Sequence, residues 1–151
     1  MLTLQHALIK SFAARCLAVR KVTSNKGGST PGIDGKTYNT NIDKFKAVQA
    51  ALDLSKYKAD PVRRVYISRP DGKKRPLGIL TIKDRIVQTL YLFALDPIAE
   101  ELADTRSYGF RKFHGVQDCV TYLKLVCGSY IATRRHVLDA DIEQFFPSVS
   151  H

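Results

Sequence analysis

Apolar side chains recur at helical spacing in the first twenty residues of the chain. Between Leu4 and Val19 they share one face at Leu4, Leu8, Phe12, Cys16 and Val19. The polar and charged residues of this stretch, Arg15 among them, fall mostly elsewhere, which is typical of an amphipathic helix. The pattern predicts one helix over residues 4–19. Turn-forming residues then follow in quick succession and predict an irregular loop from Ser24 to Gly35.

Three later stretches show the same helical period. A second helix is predicted from about Asn41 to Leu54, with Asn41 as its N-cap. A third begins at Ile82 and is expected to break or restart at Asp96-Pro97, because proline restricts the residue before it. A fourth fits Val116 to Cys127, with Gly128 placed to end it. The side chains expected to face inward are Ile42, Phe45, Val48, Leu52, Ile86, Leu90, Phe93, Val116, Val120, Leu123 and Cys127.

Alternating and continuous apolar runs predict β structure in two places. The runs Val62–Ile67 and Arg75–Ile79 flank Pro70-Asp71-Gly72, and Asp-Gly between extended runs is a hairpin signal. Val137 to Ile142 has the character of a buried strand that carries acidic residues. The chain is therefore predicted to be an α+β protein, with helices around a basic antiparallel hairpin, in a single domain.

Composition adds a functional hint and excludes several classes of protein. The 151 residues carry a formal net charge of +10, and such a surplus of Lys and Arg favours polyanions such as nucleic acid or acidic membranes. The three cysteines, Cys16, Cys119 and Cys127, lack the paired spacing of a zinc site and predict reduced core residues of an intracellular protein. No targeting signal and no apolar run of about 20 residues is present, so no membrane span is expected.

Cations are concentrated in the predicted hairpin. Between residues 56 and 75 stand Lys56, Lys58, Arg63, Arg64, Arg69, Lys73, Lys74 and Arg75, against only Asp60 and Asp71. Strand alternation puts Arg63 and Val65 on one face and Arg64 and Tyr66 on the other. One face can present cations to phosphates, or the whole hairpin can be a solvated edge that resists aggregation. Charge alone leaves both interpretations open.

Two further motifs are candidates for phosphate chemistry. Asp139 and Asp141 are two residues apart, so in a strand they point to the same side and can address one divalent cation such as Mg²⁺. An ordinary strand end with solvated aspartates is the alternative. Gly35-Lys36-Thr37 matches the end of a phosphate-binding loop, but Thr30 occupies the position where that loop needs glycine, so we reject it.

Six segments, taken together, resemble the ordered opening motifs of group II intron reverse transcriptases and maturases. In sequence order they are Leu17-Ala18-Val19-Arg20 with Asn25-Lys26-Gly27, Thr30-Pro31-Gly32-Ile33-Asp34-Gly35, Lys74-Arg75-Pro76-Leu77-Gly78-Ile79, Ile82-Lys83-Asp84-Arg85-Ile86-Val87-Gln88, Ser107-Tyr108-Gly109-Phe110-Arg111, and Asp139-Ala140-Asp141-Ile142 with Phe145-Phe146. The resemblance spans nearly the whole chain and implies RNA-templated DNA synthesis, with a role in intron splicing and mobility.

The resemblance also implies roles for individual residues of the hairpin. In that family the hairpin belongs to the fingers, and the residues matching Arg63, Arg69 and Arg75 contact the triphosphate of the incoming nucleotide. Guanidinium groups suit this task because they grip phosphate in a bidentate manner. Arg69 stands where relatives often have lysine. The remaining hairpin cations, Arg64, Lys73 and Lys74, are expected to contact nucleic acid, and so is Arg111 of the Ser107–Arg111 segment, which resembles a motif that helps to hold template and nucleotide.

The C-terminal motif resembles the start of the palm. By this resemblance Asp141 matches the first catalytic aspartate, and Ile142 adds a backbone carbonyl to the metal, expected to be Mg²⁺. Asp139 is then a neighbour and not a ligand. Phe146 matches the bulky side chain that closes the sugar pocket against a 2′-hydroxyl. The sequence departs from the common pattern at Leu80 and Pro147, where proline and aspartate are frequent.

The expected protein is a front piece of such an enzyme. We expect a single incomplete domain with an N-terminal region at residues 1–60, fingers at 61–135 and the first palm strand at 136–151. No Tyr-x-Asp-Asp motif occurs, so the chain is expected to be inactive as a polymerase alone. An unpartnered palm strand also predicts poor solubility or a need for the missing half.

The expected partners follow from the resemblance. They are group II intron RNA, an RNA template with a DNA primer, deoxynucleoside triphosphates, and a second chain carrying the rest of the palm and thumb, in bacterial cytoplasm or an organelle. The main alternative is a non-catalytic RNA-binding splicing helper or a degenerate relic. A phosphatase or glycosyltransferase that uses Asp139 as an essential partner is a third class.

Overall fold

A computed structural model of the chain describes residues 2–50, 54, 57–128, 136, 138–143 and 145. The chain divides into two compact units, Met1–Leu102 and Ala103–His151. Within the described residues the elements are α1 (Leu2–Lys10), α2 (Phe12–Ser24), a short 3₁₀ helix (Lys26–Ser29), α3 (Asn41–Ala50), β1 (Arg63–Ser68), β2 (Lys74–Ile79), α4 (Ile82–Leu102) and α5 (Val116–Cys127). The predicted α+β class is confirmed.

The hydrophobic core of the first unit lies between α2 and α4, with α1 and α3 packed around them. Alanines recur among the buried residues, and their small side chains let the helices approach closely. The core consists of Ile9, Ala14, Ala18, Val19, Val22, Ala47, Val48, Ile82, Ile86, Leu90 and Ala94. The inward positions predicted at Val19, Val48, Ile86 and Leu90 are confirmed.

The prediction of one helix over residues 4–19 is wrong, because the helix ends at Lys10 and α2 begins at Phe12. Ser11 between them has extended backbone, and its hydroxyl accepts the N–H of Ala14 at 3.1 Å as the N-cap of α2. The break changes which face is buried. Leu4 is 77% exposed and Phe12 56% exposed, although the helical period had placed both of them inward.

Arg15 is buried, contrary to the prediction that it lies away from the core. Its Nη2 donates to the carbonyl of Lys10 at 3.3 Å, and its Nη1 donates to that of Val48 at 3.5 Å. These carbonyls belong to the last turns of α1 and α3, which lack intrahelical donors. A buried guanidinium is tolerated here because it satisfies them.

Helix α3 begins at Asn41 as predicted, but its cap is Thr40. The Thr40 hydroxyl accepts the N–H of Asp43 at 3.1 Å, and the Asp43 carboxylate accepts the N–H of Thr40 at 3.3 Å. Ile42 and Phe45, predicted to face inward, are exposed, whereas Val48 is buried as predicted, together with Ala47. Leu52 lies outside the described residues.

The predicted hairpin is confirmed, and the geometry of its turn accounts for the positions of Gly72 and Pro76. Arg69 N–H donates to the Lys73 carbonyl at 2.8 Å, and Gly72 N–H donates to the Arg69 carbonyl at 3.0 Å. Gly72 has φ +76°, the left-handed conformation that closes a three-residue loop and favours glycine. The register pairs Tyr66 with Pro76, and alternation from the Arg69–Lys73 bond makes this a non-hydrogen-bonded pair, where a proline costs no ladder bond.

The predicted interruption at Asp96-Pro97 is wrong, since α4 runs through Pro97 to Leu102. Proline cannot donate to the carbonyl of Phe93, which weakens this turn of the helix. The helix nevertheless continues along α1, where Gln5 Nε2 donates to the Ala94 carbonyl at 3.2 Å in the same turn. Packing against α1 and α2 outweighs the local cost of the proline.

Helix α5 has the predicted bounds, and Gly128 ends it with its N–H on the Lys124 carbonyl at 2.8 Å. The prediction that Val116, Val120, Leu123 and Cys127 point inward is wrong, because no residue of α5 is buried. The described residues of this unit provide no layer to cover the apolar face. Cys16 and Cys119 are half-buried and Cys127 is exposed, so only part of the predicted burial of the cysteines is observed, and all three are free.

The strand predicted from Val137 to Ile142 is not formed in its described part. Residues 138–142 belong to no helix or strand, Leu138 is 90% exposed, and Val137 lies outside the described residues. A strand needs a neighbour for its backbone hydrogen bonds, and among the described residues β1 and β2 pair only with each other. In the described part of the chain, no helix combines the length and apolar character needed to cross a membrane.

Candidate nucleotide and nucleic-acid interface

The register of β1 and β2 sorts the hairpin side chains onto two faces. One face, called here the apolar-basic face, carries Arg63, Val65, Ile67, Arg75, Leu77 and Ile79. The other, called the tyrosine face, carries Arg64, Tyr66, Ser68, Lys74, Pro76 and Gly78. The structure therefore separates the predicted nucleotide-binding residues Arg63 and Arg75 from the predicted nucleic-acid-binding residues Arg64 and Lys74.

The apolar-basic face is more enclosed near the start of β1 than near the turn. Arg63, Val65 and Ile79 are half-buried there, whereas Ile67 and Arg75 are exposed. Arg63 Nε is buried without a hydrogen-bond acceptor among the described residues. A buried donor of a charged group without an acceptor is costly, so this N–H can donate to an anionic ligand.

Arg69 and Lys73 stand at the end of the hairpin, where the backbone bond between them closes the turn. Both side chains are exposed. Arg69 thus lies beyond the two strands, while Arg63 and Arg75 lie within them on one face. The structure brings Arg63 and Arg75 onto a common surface and leaves Arg69 and Lys73 at its outer rim.

A buried carboxylate that sequence reasoning missed holds the base of the hairpin. Asp84, in the first turn of α4, is 1% exposed. It accepts the Tyr57 hydroxyl at 2.5 Å, the Asp60 N–H at 3.2 Å and the Thr81 hydroxyl at 2.7 Å. Residues 57–60 lead into β1 and Thr81 follows β2, so one carboxylate fixes both ends of the hairpin against α4. The Thr81-x-x-Asp84 capping pattern before an apolar run was the available signal.

Tyr57 is a neutral donor to this carboxylate. Burial of the phenol, together with its hydrogen bond to Asp84, raises the pKa of Tyr57 well above its usual range. The hydroxyl therefore keeps its proton throughout the physiological pH range. The ion pair beside it, Lys83 Nζ to Asp60 at 3.6 Å, is partly exposed and contributes little.

The neighbouring residue, Arg85, attaches the Lys26–Ser29 segment to α4. Its Nη1 donates to the Gly27 carbonyl at 2.6 Å, and its Nη2 donates to the carbonyls of Thr30 at 2.7 Å and Leu80 at 2.8 Å. All of these acceptors are backbone carbonyls, one in the 3₁₀ helix and two in loops. The motifs around Gly27, Thr30 and Arg85 therefore act together as one structural joint.

In this joint the backbone of Gly32 packs directly against the backbone of Thr81. A Cβ at Gly32 would lie 2.6 Å from the Thr81 Cα and backbone N, a distance that side chains do not reach without a backbone shift. We expect Gly32→Ala to lower the free energy of unfolding by about 1–3 kcal/mol, measured by urea denaturation. Gly27→Ala is the matched control, since its Cβ would meet only Arg85 Nη1 at 3.7 Å, and it should change stability by less than about 0.5 kcal/mol. Equal effects would contradict the role given to Gly32.

In the second unit, Arg111 orders the loop before α5. Its Nη1 donates to the carbonyls of Asp104 and Ser107, both at 2.8 Å. Two aromatic residues of this loop, Phe110 and Phe113, are fully exposed and have φ of 61° and 62°, which is rare for bulky side chains. The Arg111 guanidinium is thus used in part to shape the loop in which it was predicted to contact nucleic acid.

The residues matched to the catalytic aspartate and the metal lie in an exposed stretch. Asp141 Oδ1 accepts the N–H of Ile142 at 2.9 Å, and Asp139 is exposed beside it. Carboxylate and carbonyl oxygens are the ligand types that Mg²⁺ takes, so the donor set fits this ion in kind. Among the described residues, no group of three or more His, Cys, Asp or Glu side chains could hold a metal. Phe146 lies outside the described residues.

Family models match the chain along most of its length. Residues 1–51 match the N-terminal domain of reverse transcriptase, and residues 67–151 match the reverse transcriptase (RNA-dependent DNA polymerase) family. The second match begins within β1 and includes the hairpin turn, the buried carboxylate Asp84 and Asp141. The matched regions thus contain most of the residues whose geometry is described above.

Curated relatives agree with these matches. The chain is 39% identical to protein YkfC of Escherichia coli over 89% of the chain and 36% of that protein. It is 34% identical to the group II intron-encoded protein LtrA of Lactococcus lactis, over 89% of the chain and 22% of LtrA. It is 28% identical to the putative COX1/OXI3 intron 1 protein of Saccharomyces cerevisiae, over 96% of the chain and 17% of that protein. The chain spans about a third or less of the length of these relatives. It belongs to the reverse transcriptase family.

Proposed function

We propose that the chain forms the fingers and the beginning of the palm of a group II intron reverse transcriptase. In this proposal residues 1–60 are the N-terminal region, 61–135 the fingers and 136–151 the first palm segment. The assembled enzyme copies an RNA template from a DNA primer, using deoxynucleoside triphosphates, and acts in splicing and mobility of its intron RNA. A second chain, or the remainder of the polymerase in the same chain, supplies the other carboxylates.

The observation that carries the proposal is the position of Arg63 and Arg75 on one face of the hairpin. Together with Arg69 at the turn, they offer three permanent positive charges to a ligand with three linked phosphates. Arg63 Nε lacks an acceptor among the described residues, so a phosphate oxygen would satisfy it. The apolar residues between them, Val65 and Leu77, lower the local dielectric and strengthen such contacts.

Asp141 is proposed as the catalytic carboxylate and, with the Ile142 carbonyl, as the metal-binding pair. When bound there, Mg²⁺ would neutralise the charge that develops on the phosphoryl oxygens. Asp141 Oδ1 accepts the N–H of Ile142, and Oδ2 of the same carboxylate can coordinate the ion without breaking that bond. Phe146 is proposed to exclude the 2′-hydroxyl of ribonucleotides. These roles rest on the family membership and on the chemistry of the side chains.

Arg75 and Lys74 are adjacent cations on opposite faces of the hairpin, so replacing each of them in turn tests the proposed nucleotide site. Arg75→Ala is expected to weaken binding of a deoxynucleoside triphosphate to the chain about tenfold or more, because a charge-assisted hydrogen bond contributes about 1.5–3 kcal/mol. Lys74→Ala removes the same charge from the next residue, on the tyrosine face, and should change the affinity less than about twofold. The dissociation constants can be measured by NMR titration. Equal losses in both variants would show that only net charge matters and would contradict the proposed site.

The competing proposal is a non-catalytic RNA-binding splicing helper. The exposed cations Arg64, Lys73 and Lys74 favour it, because phosphate contacts with RNA need no metal site. Adding the downstream polymerase segment of LtrA in trans and measuring primer extension separates the two. Extension that requires Asp141 supports the polymerase, and RNA binding without extension supports the helper.

A further inference from the structure

We propose that the tyrosine face of the hairpin is a separate binding surface for single-stranded RNA, on which a base stacks against Tyr66 while Arg64 and Lys74 bind the flanking phosphates. This surface lies on the side of the sheet opposite Arg63 and Arg75. It goes beyond the nucleotide site proposed above and extends the proposed function to an unpaired part of the RNA. The two surfaces share the hairpin but no side chain.

Tyr66 occupies the middle of this face and is 63% exposed. Arg64 precedes it by two residues on the same strand, so their Cα atoms are about 7 Å apart. Lys74 pairs with Ser68 and is therefore the diagonal neighbour of Tyr66 across the strands. One exposed aromatic ring is thus placed between two exposed cations. This arrangement is the one by which single-stranded nucleic acid is held without sequence readout.

The position of Tyr66 in the hydrogen-bond ladder between β1 and β2 favours an accessible ring. Tyr66 pairs with Pro76 at a non-hydrogen-bonded position, where paired residues approach most closely. Proline is rigid and short, so it supports the tyrosine from the neighbouring strand without covering it. Gly78, paired with Arg64, has no side chain, and the Val62 side chain lies beside it, since a Cβ at Gly78 would be 3.3 Å from Val62 Cγ2. The face therefore presents a ring and two cations, with Val62 bordering it at the end away from the turn.

Charge and hydroxyl groups favour RNA as the ligand. Both strands are described throughout, and their tyrosine face carries no acidic side chain. A chain with a net charge of +10 attracts polyanions to this surface. The hydroxyls of Tyr66 and Ser68 stand on the same face, and both can bond to a ribose 2′-hydroxyl, the group that distinguishes RNA from DNA.

The absence of tryptophan from the chain permits a specific optical test. Tyr66→Trp introduces a single reporter at an exposed strand position, where tryptophan is well accepted. An oligouridylate of about ten nucleotides, within the usual site size of a stacking groove, should quench this tryptophan. Inorganic polyphosphate, which has the charge but no bases, should not. Leu77→Trp places the same reporter on the apolar-basic face and should not be quenched by the oligouridylate.

Affinity measurements give the second part of the test, in the absence of any nucleotide. Tyr66→Ala and Lys74→Ala should each weaken binding of the oligouridylate at least about fivefold, whereas Arg75→Ala should change it less than about twofold. Tyr66→Phe should keep the stacking ring but, without the hydroxyl, reduce the preference for oligouridylate over oligodeoxyuridylate. Circular dichroism confirms that each variant is folded.

Results that would contradict the RNA surface differ from those that would contradict the nucleotide site. Equal quenching by polyphosphate, equal binding of the DNA oligomer, or a loss on Arg75→Ala as large as that on Lys74→Ala would each contradict an RNA surface at Tyr66. The nucleotide site is judged from triphosphate affinity alone, which Tyr66→Ala should leave unchanged. Either surface can therefore fail while the other is retained.

Discussion

Replacing Asp84 with alanine is expected to lower the free energy of unfolding by about 3–5 kcal/mol. The substitution removes a buried acceptor that serves Tyr57, Asp60 and Thr81 at once. Each of these groups would remain buried or partly buried without its partner. Thermal unfolding followed by circular dichroism should show a midpoint lowered by about 15 °C or more.

Two further variants keep this prediction testable if the alanine variant does not fold. Thr81→Val removes one of the hydrogen bonds and should cost about 1–2 kcal/mol, leaving a folded protein. Lys83→Ala, next to Asp84, removes only the partly exposed ion pair with Asp60 and should cost less than about 1 kcal/mol. A Lys83→Ala effect as large as that of Asp84→Ala would mean that surface charge, and not the buried network, holds the hairpin.

Replacing Asp141 with asparagine is expected to reduce primer extension by the reconstituted enzyme by about 10³-fold or more. A carboxylate that helps to hold Mg²⁺ contributes several kcal/mol to the transition state, and about 4 kcal/mol corresponds to that change in rate. Asparagine keeps the size of the side chain but loses its charge. The measurement is the initial rate of extension on an RNA template at saturating nucleotide, followed over a range of Mg²⁺ concentrations.

The matched control for this prediction is Asp139→Asn, two residues earlier in the same exposed stretch. It removes the same charge and should reduce the rate less than about threefold, because Asp139 is proposed to be a neighbour of the metal and not a ligand. Equal losses at both positions would favour an enzyme in which the two aspartates share one cation. That result would contradict the role assigned to Asp141 alone.

The parts of the fold that depend on near neighbours in sequence were predictable. Asp71-Gly72 between two extended runs predicted the hairpin, and the left-handed φ of Gly72 confirms the reason. The period of Ile82, Ile86 and Leu90 predicted the buried face of α4. Periodicity did not locate the break at Ser11, where the competing signal was a capping serine within an apolar pattern.

The candidate site was only partly predictable for a different reason. Alternation alone places Arg63 apart from Arg64, but the face that carries Arg75 depends on the cross-strand register, which the turn determines. The importance of Asp84 and Arg85 was hidden because a charged residue at the start of a helix is usually exposed. Their partners, Tyr57 and Gly27, lie 27 and 58 residues away in sequence.

The sequence by itself determined the order of the motifs, the family to which they belong, the hairpin turn and the starts of α3, α4 and α5, since these depend on residues within one or two turns of each other. The tertiary structure decided which faces of α1, α3 and α5 are buried, where the apolar period was misleading. An amphipathic pattern indicates that a face exists, but contacts between distant segments select which one packs, as Arg15 and Asp84 show by being buried while Leu4 and Phe12 are exposed. Whether a face is buried depends on the segments that pack against it, and the spacing of apolar residues within one helix does not specify those segments.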